Sequence, residues 1–135
     1  MAVRVAALAC GARALQGILA RIGSGRRREP LMCCGQPMRS RGLKDKVLLT
    51  ILGGVPWARS MFVCDACGAV RYPGDEELDV VNTTRSPGVR RMMARAGSKD
   101  TFKEGRGDLK VYAGIEVSAK DVERVAEGIG ESIEA

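Results

Sequence analysis

Two cysteine pairs most strongly limit what this chain can fold into. Cys33 and Cys34 are adjacent and precede a glycine, and Cys64 and Cys67 follow later in the pattern Cys-Asp-Ala-Cys-Gly. Two thiols at positions i and i+3 face one point, and a glycine after the second permits a tight turn whose N–H groups donate to sulfur. A hairpin between the pairs would bring all four thiols together, as in a zinc ribbon. The sequence therefore predicts a cysteine-ligated Zn²⁺ site.

The first cysteine pair departs from the regular ribbon spacing, which would require a cysteine at Leu31. Because adjacent side chains tend to diverge, Cys34, which precedes the glycine, is the firmer ligand of this pair. Cys33 is the expected fourth ligand, and Cys10 is the alternative if the N-terminal segment folds back. Aromatic residues make up only 4% of the chain, so metal-binding energy would supplement a thin core. The predicted ligands are Cys33, Cys34, Cys64 and Cys67.

The chain contains no histidine. Ser-His-Asp and Cys-His catalysis are therefore excluded, as are mixed Cys/His zinc sites. In a reducing compartment, clustered cysteines without histidine indicate a metal site rather than disulfides.

The charge of the chain is unevenly distributed. Residues 1–74 hold 12 Lys/Arg against three acids, a net charge of +9, whereas residues 75–135 hold 10 against 13, a net charge of −3. A basic half next to a mildly acidic half suggests a polyanionic partner for the first half. A solvated basic surface without a partner is the plainer alternative.

The N-terminal segment is predicted to form a helix. Apolar residues from Val5 to Ile22 alternate steps of three and four, which indicates a helical stripe that packs on the rest of the protein. Gly23, Ser24 and Gly25 then begin a polar, arginine-rich linker. Arginines interrupt the apolar segment, and we expect no stretch of the roughly 20 apolar residues that a membrane span needs. We expect a cytoplasmic protein that does not bind membranes.

The middle of the chain is predicted to form a hairpin. Residues 47–52 and 57–63 are rich in strand-forming side chains, and Gly53-Gly54 between them indicates a turn. A short third strand is predicted at residues 69–72. Pro73-Gly74-Asp75 is expected to close the module.

The last part of the chain is predicted to form three helices. Ser86-Pro87 is typical of a helix start and Gly97 of its end. A second helix is expected over residues 101–112, and Ser118 is expected to cap a third. The predicted fold class is α+β. Its expected parts are an N-terminal helix and linker (1–29), a zinc ribbon (30–75) and a helix-turn-helix-like module (76–135).

Five segments in one collinear order resemble the Kra-type insertion-sequence transposases over roughly residues 31–134. The segments read MCCGQPMRSRGLKDK, TILGGVPWARSMFVCDACG, RYPGDEELDVV, SPGVRRMMARAGSKDTFKEG and YAGIEVSAKDVERVAEGIGE. The chain differs from the family at Asp65, where members usually have proline, and at Gly107, which they usually lack. In the family a nuclease domain with an acidic triad follows. The resemblance therefore implies the DNA-binding N-terminal region of a transposase, truncated or partial, without its catalytic domain. On this basis we expect that the chain is not itself an enzyme.

The expected partner is DNA at the ends of the element, in a bacterial cytoplasm and on the nucleoid when bound. Self-association or a separate nuclease domain would be compatible with this interpretation. In a helix-turn-helix, the start of the second helix approaches the bases, and basic side chains elsewhere bind phosphates. The alternative is a stand-alone zinc-ribbon/helix-turn-helix regulator, similar to an antitoxin. The expected DNA contacts are Arg39, Arg41, Lys44, Lys46, Arg59, Arg90, Arg91, Arg95, Lys120 and Arg124.

Overall fold

The chain divides into two compact units, Met1–Ser86 and Pro87–Ala135. The computed structural model describes residues 2–22, 27–99 and 101–134. Most of the predicted linker, residues 23–26, lies outside this range. The division falls later than the expected boundary at residue 75, because residues 76–86 continue to pack on the hairpin of the first unit.

The first unit begins with the expected helix, α1 (Ala2–Ile22). Leu19 is its one buried side chain among the described residues, and Ala12 and Leu15 pack beside it against the core. These three residues recur at helical spacing, so one face of α1 packs on the sheet as the stripe predicted. The opposite side of the helix, including Val3, is exposed.

Helix α1 is also long and apolar enough, by length and composition alone, to cross a membrane. The expectation that no stretch would reach this length was therefore wrong, because Arg4 and Arg13 are too few to break the apolar character of the whole helix. Core helices of soluble proteins and N-terminal signal sequences can meet the same criteria of length and composition. The finding does not by itself identify a membrane span.

The centre of the first unit is an antiparallel hairpin of β3 (Arg39–Thr50) and β4 (Gly53–Val63). Both strands are longer than predicted, since the exposed polar start of β3 lacks an apolar alternation that would mark it as a strand. The turn lies at Ile51 and Leu52 rather than at the glycines, which open β4. The hydroxyl of Thr50 accepts from the Leu52 N–H at 3.1 Å and fixes this turn.

Three short strands and a short helix complete the first unit. Strands β1 (Met32–Cys33) and β2 (Gln36–Pro37) form a small hairpin, and β5 (Val70–Arg71) pairs with the end of β4. Helix α2 (Pro73–Glu77) replaces the expected closing turn, because proline suits a first helical position. The main core of this unit consists of Leu19, Leu48, Val55, Trp57 and Val80.

The second unit is helical, as expected. Its helices are α3 (Pro87–Gly97), α4 (Phe102–Asp108), which continues into a π-helical turn (Leu109–Ala113), and α5 (Ala119–Glu134). Each helix packs on the other two. The buried core side chains are Val89, Met93, Leu109, Ile115 and Val122.

Side-chain caps begin two of these helices. Thr101 and Glu104 form a capping box at the start of α4. The Ser118 hydroxyl accepts from the Asp121 N–H at 3.1 Å and caps α5, as its sequence predicted. Gly114 has a left-handed backbone, with φ 67°, which ends the π-helical turn.

Gly105 of α4 lies against the backbone of α3. A Cβ atom built there would lie 2.9 Å from the Ala96 carbonyl oxygen, whereas one at Gly107 would meet nothing within 4 Å. We therefore expect Gly105→Ala to lower the free energy of unfolding of the second unit by about 1–3 kcal/mol, through overpacking. Chemical denaturation followed by circular dichroism measures this change.

Gly107→Ala is the matched control for that variant. It removes a glycine from the same helix without a contact, so it should stabilise the unit by up to about 1 kcal/mol. Equal effects of the two substitutions would show that α4 does not approach α3 at Gly105.

Candidate metal centre

The turn between β1 and β2 brings two adjacent thiols together. Cys33 pairs with Gln36, and the two residues between them have left-handed backbones, with φ 52° at Cys34 and 72° at Gly35. Two consecutive left-handed residues define a type I′ hairpin turn. The Sγ atoms of Cys33 and Cys34 lie 3.9 Å apart as a result. The expectation that adjacent side chains diverge fails here because Cys34 adopts the left-handed conformation that is rare outside glycine.

The second cysteine pair lies in a tight turn between β4 and β5. The Gly68 N–H donates to the Cys64 carbonyl at 2.9 Å, and the Cys64 N–H donates to the Ala69 carbonyl at the same distance. Gly68 itself has φ 73°, which explains the need for glycine after the second cysteine. Cys64 is buried against Leu31 in a second small core, whereas Cys67 is exposed.

Both turns meet at one point, where the four predicted ligands form a thiol cluster. All four Sγ atoms lie within 4.8 Å of one another, and those of Cys33 and Cys67 are 3.7 Å apart. Four sulfurs bound tetrahedrally at about 2.3 Å from a zinc ion would be about 3.8 Å apart. The thiol cluster can therefore hold a metal ion. Cys10, the alternative fourth ligand, is exposed on α1 and is not part of it.

The thiols of this cluster differ in acidity. Hydrogen bonds from the backbone N–H groups of Cys67 and then Ala66 lower the pKa of Cys64 to about 6. Hydrogen bonds with the other three thiols, Cys64 first, raise the pKa of Cys33 to about 12. The Cys33 thiol thus holds a proton that a bound cation would displace, since a cysteine binds metal as the thiolate.

The chain is thus an α+β protein with an N-terminal helix, small antiparallel sheets and a four-cysteine cluster that could bind a metal ion. No protein-family model matches it, and no curated protein matches it significantly.

Three of the predicted phosphate contacts are exposed at the start of β3. Arg39, Arg41 and Lys44 all lie on the surface, and Arg39 forms an ion pair with Asp65 at 2.7 Å. The pairing of β3 with β4 shifts register between Ser40 and Leu43. This bulge leaves Arg41 outside the ladder.

Lys46 and Arg59 lie in the interior instead of on a binding surface. The Lys46 ammonium donates to Asp75 at 3.0 Å and to the Val80 carbonyl at 2.6 Å. Arg59 donates to the same carboxylate at 2.9 Å and lies over the Tyr72 ring at 4.2 Å from its centroid. We call Lys46, Arg59 and Asp75 the buried ion triad. Two of the expected DNA contacts are therefore structural residues.

The sequence analysis missed Asp75 as the partner of these cations. In the observed register Lys44 pairs with Arg59 and Leu48 with Val55, and side chains two residues apart share a face. Lys46 therefore lies on the same face of β3 as the buried Leu48, and Arg59 lies on the same face of β4 as the buried Val55. The alternation of the strands could have placed both cations inward, where buried charges require a carboxylate partner.

The predicted contacts of the second unit lie on α3 and α5. Arg91 and Arg95 are exposed and Arg90 is half-buried. Lys120 and Arg124 are exposed on the first turns of α5, where the Arg124 guanidinium donates to Asp121 at 2.9 Å.

Proposed function

We propose that the chain is a zinc-ribbon protein that binds DNA, and that it is the recognition region of an insertion-sequence transposase. The observation that carries this proposal is the thiol cluster, formed by two turns at one end of a β-hairpin. The neighbouring surface is basic, and a three-helix unit follows. In this proposal the chain has no catalytic role of its own.

Zinc is the metal that best suits the thiol cluster. Four cysteines without histidine or carboxylate form a soft, sulfur-only ligand set, and the sulfur separations are close to those of a tetrahedral zinc site. The cluster closes all four positions with protein atoms, which is typical of a structural rather than a catalytic metal. The ribbon core around it is small, so the metal would supply folding energy.

Native mass spectrometry of the purified chain tests the metal assignment. We expect one zinc per chain, with four cysteines deprotonated. A strong chelator should remove it and abolish the hairpin's circular-dichroism signal. A folded wild-type protein that contains no metal under reducing conditions would overturn the assignment.

The distribution of charge supports DNA as the partner. The first unit contains 13 Lys/Arg and 7 Asp/Glu, whereas the second contains nine of each. Since Lys46 and Arg59 neutralise Asp75 internally, the cations left for phosphate on β3 are Arg41 and Lys44, with Arg39 in an exposed ion pair. Exposed cations that bind phosphates give affinity without sequence preference.

The second unit is the proposed sequence reader. Helices α4 and α5 are joined by the π-helical turn and residues 114–118, and both pack on α3, which is compatible with the helix-turn-helix proposed for this unit. Lys120 and Arg124 occupy the first turns of α5, the part that would approach base edges. Glu127 and Glu131 lie further along and would repel phosphates, so only the start of α5 would enter a groove.

The identity of the DNA target follows from the resemblance to the Kra-type transposases. The segments that carry this resemblance fall in both units of the chain, so the proposed target is the terminal sequence of the chain's own element. This part of the proposal depends on the resemblance, and the cysteine geometry supports only the ribbon.

DNA binding measured by fluorescence anisotropy at several salt concentrations tests both halves of the proposal. Arg41→Ala with Lys44→Ala should weaken binding to all sequences alike and reduce the slope of log K against log salt by about 1 per lost contact. Lys120→Ala or Arg124→Ala should instead reduce the preference for the terminal sequence by about 1–3 kcal/mol.

Arg13→Ala, which removes an exposed cation of α1 that is not among the expected DNA contacts, is the control. If all of these variants bind as the wild type does, neither surface contacts DNA. If Lys120→Ala and Arg124→Ala alone have no effect, α5 is not the reader.

A further inference from the structure

The four thiols of the cluster differ in their access to solvent. Cys64 is buried at 1% exposure and Cys33 is half-buried, whereas Cys34 and Cys67 are exposed. A small oxidant in solvent therefore reaches Cys34 and Cys67 first. Metal-bound cysteines are thiolates, which is the form that oxidants attack.

Geometry decides which disulfide an oxidised thiolate can form. Adjacent residues have Cα atoms about 3.8 Å apart, shorter than the roughly 4.4–6.8 Å that a disulfide spans. Cys33 and Cys34 therefore do not pair with each other without distortion. The Sγ atoms of Cys33 and Cys67 lie 3.7 Å apart and come from different turns, so they meet without that constraint.

We propose that Cys67 is a peroxide-sensitive thiolate, and that its oxidation forms a Cys33–Cys67 disulfide and expels the metal from the thiol cluster. This inference rests on the metal site of the proposed function. Cys67 would thus be a modification site on the ribbon, and hydrogen peroxide would be the reagent that modifies it.

The reaction balances with peroxide as the sole oxidant. The Cys67 thiolate attacks one peroxide oxygen and breaks the O–O bond, which gives a sulfenic acid and hydroxide. The Cys33 thiolate then attacks the Cys67 sulfur and displaces a second hydroxide as the S–S bond forms. Two protons convert the hydroxides to water, so two thiolates lose two electrons and one peroxide gains them. The metal keeps only two of its four ligands and dissociates.

The position of this disulfide has a structural consequence. Cys33 is the last residue of β1, directly before the turn into β2, and Cys67 lies in the turn between β4 and β5. A bond between them joins the same two turns that the metal joins, so the sheet keeps a cross-link after the metal leaves. A Cys64–Cys67 bond would lie within one turn and would leave the two turns unconnected.

The experiment uses the zinc-loaded chain and adds hydrogen peroxide in steps. A chromogenic chelator should report one zinc released per disulfide formed, and peptide mass spectrometry should identify the Cys33–Cys67 bond. Circular dichroism should retain the strand signal, and a dithiol reductant with added zinc should restore the starting state. Cys10→Ser, outside the cluster, should behave as the wild type does.

The outcomes separate this inference from the proposed function. A chain without zinc before peroxide is added contradicts both. A zinc-loaded chain that peroxide oxidises without zinc release overturns this inference alone, as does a disulfide within one turn or one that involves Cys10. Loss of the strand signal together with the zinc would show that the cross-link does not replace the metal.

Discussion

Cys64→Ser is expected to abolish metal binding and unfold the ribbon. Cys64 is the buried member of the thiol cluster, and the N–H groups of Cys67 and Ala66 donate to its sulfur. Serine is a poor ligand for a soft metal site and would leave three cysteines. Structural zinc sites contribute roughly 10–16 kcal/mol of apparent binding energy, which is comparable to the whole stability of a domain. Native mass spectrometry should show no zinc.

The two units allow a more specific measurement on the same variant. Circular dichroism should lose the strand contribution of the first unit while the helices of the second remain, since each unit has its own core. Cys10→Ser removes an exposed thiol that lies outside the cluster and should change neither the zinc content nor the fold. A Cys64→Ser protein that keeps stoichiometric zinc would contradict the assigned ligands.

Asp75→Asn is expected to destabilise the first unit by about 3–5 kcal/mol. The Asp75 carboxylate accepts from both Lys46 and Arg59, whose side chains are about nine-tenths buried. Removing the one anion leaves two buried cations without compensation, which costs far more than the loss of a surface ion pair. Equilibrium urea denaturation measures the change in the free energy of unfolding. The fluorescence of Trp57, which pairs with Lys46 in the sheet, reports the transition beside the triad.

Glu77→Gln is the matched control, because Glu77 is an exposed carboxylate on the same short helix. Its substitution should change the free energy of unfolding by less than about 0.5 kcal/mol. Equal effects for Asp75→Asn and Glu77→Gln would show that the buried ion triad does not stabilise the fold.

The sequence predicted those features that local patterns determine. Spacing identified the cysteines that cluster, and the apolar alternation and capping residues located the hairpin and the helices of the second unit. Ser118 acts as a helix cap, as predicted, because its hydroxyl bonds to a backbone N–H group only three residues away, and the structure shows the same at Thr101. Such contacts depend on neighbours in the chain and can be predicted from the sequence.

Long-range contacts were less predictable. The pairing of Lys46 with Asp75 joins residues far apart in sequence, so charge counting treated both as surface groups. The left-handed backbone at Cys34 costs conformational energy and is imposed by the hairpin around it. A cysteine rarely adopts this conformation, so residue type alone would not predict it. The first unit, which extends to Ser86, includes the bridge between Leu49 and Arg85, a pairing that no local pattern indicates.

Strand β3 lies at the edge of its sheet, where another strand could pair with it. No described strand pairs with the outer side of β3, and the Leu49–Arg85 bridge covers only its last part. Leu43 and Val47 are exposed along this edge, at 49% and 60%. Unpaired apolar edges promote aggregation between sheets, and bulges and positive charges prevent it. Arg41 at the bulge and Lys44 place positive charge along this edge, which would oppose pairing between the hairpins of separate molecules.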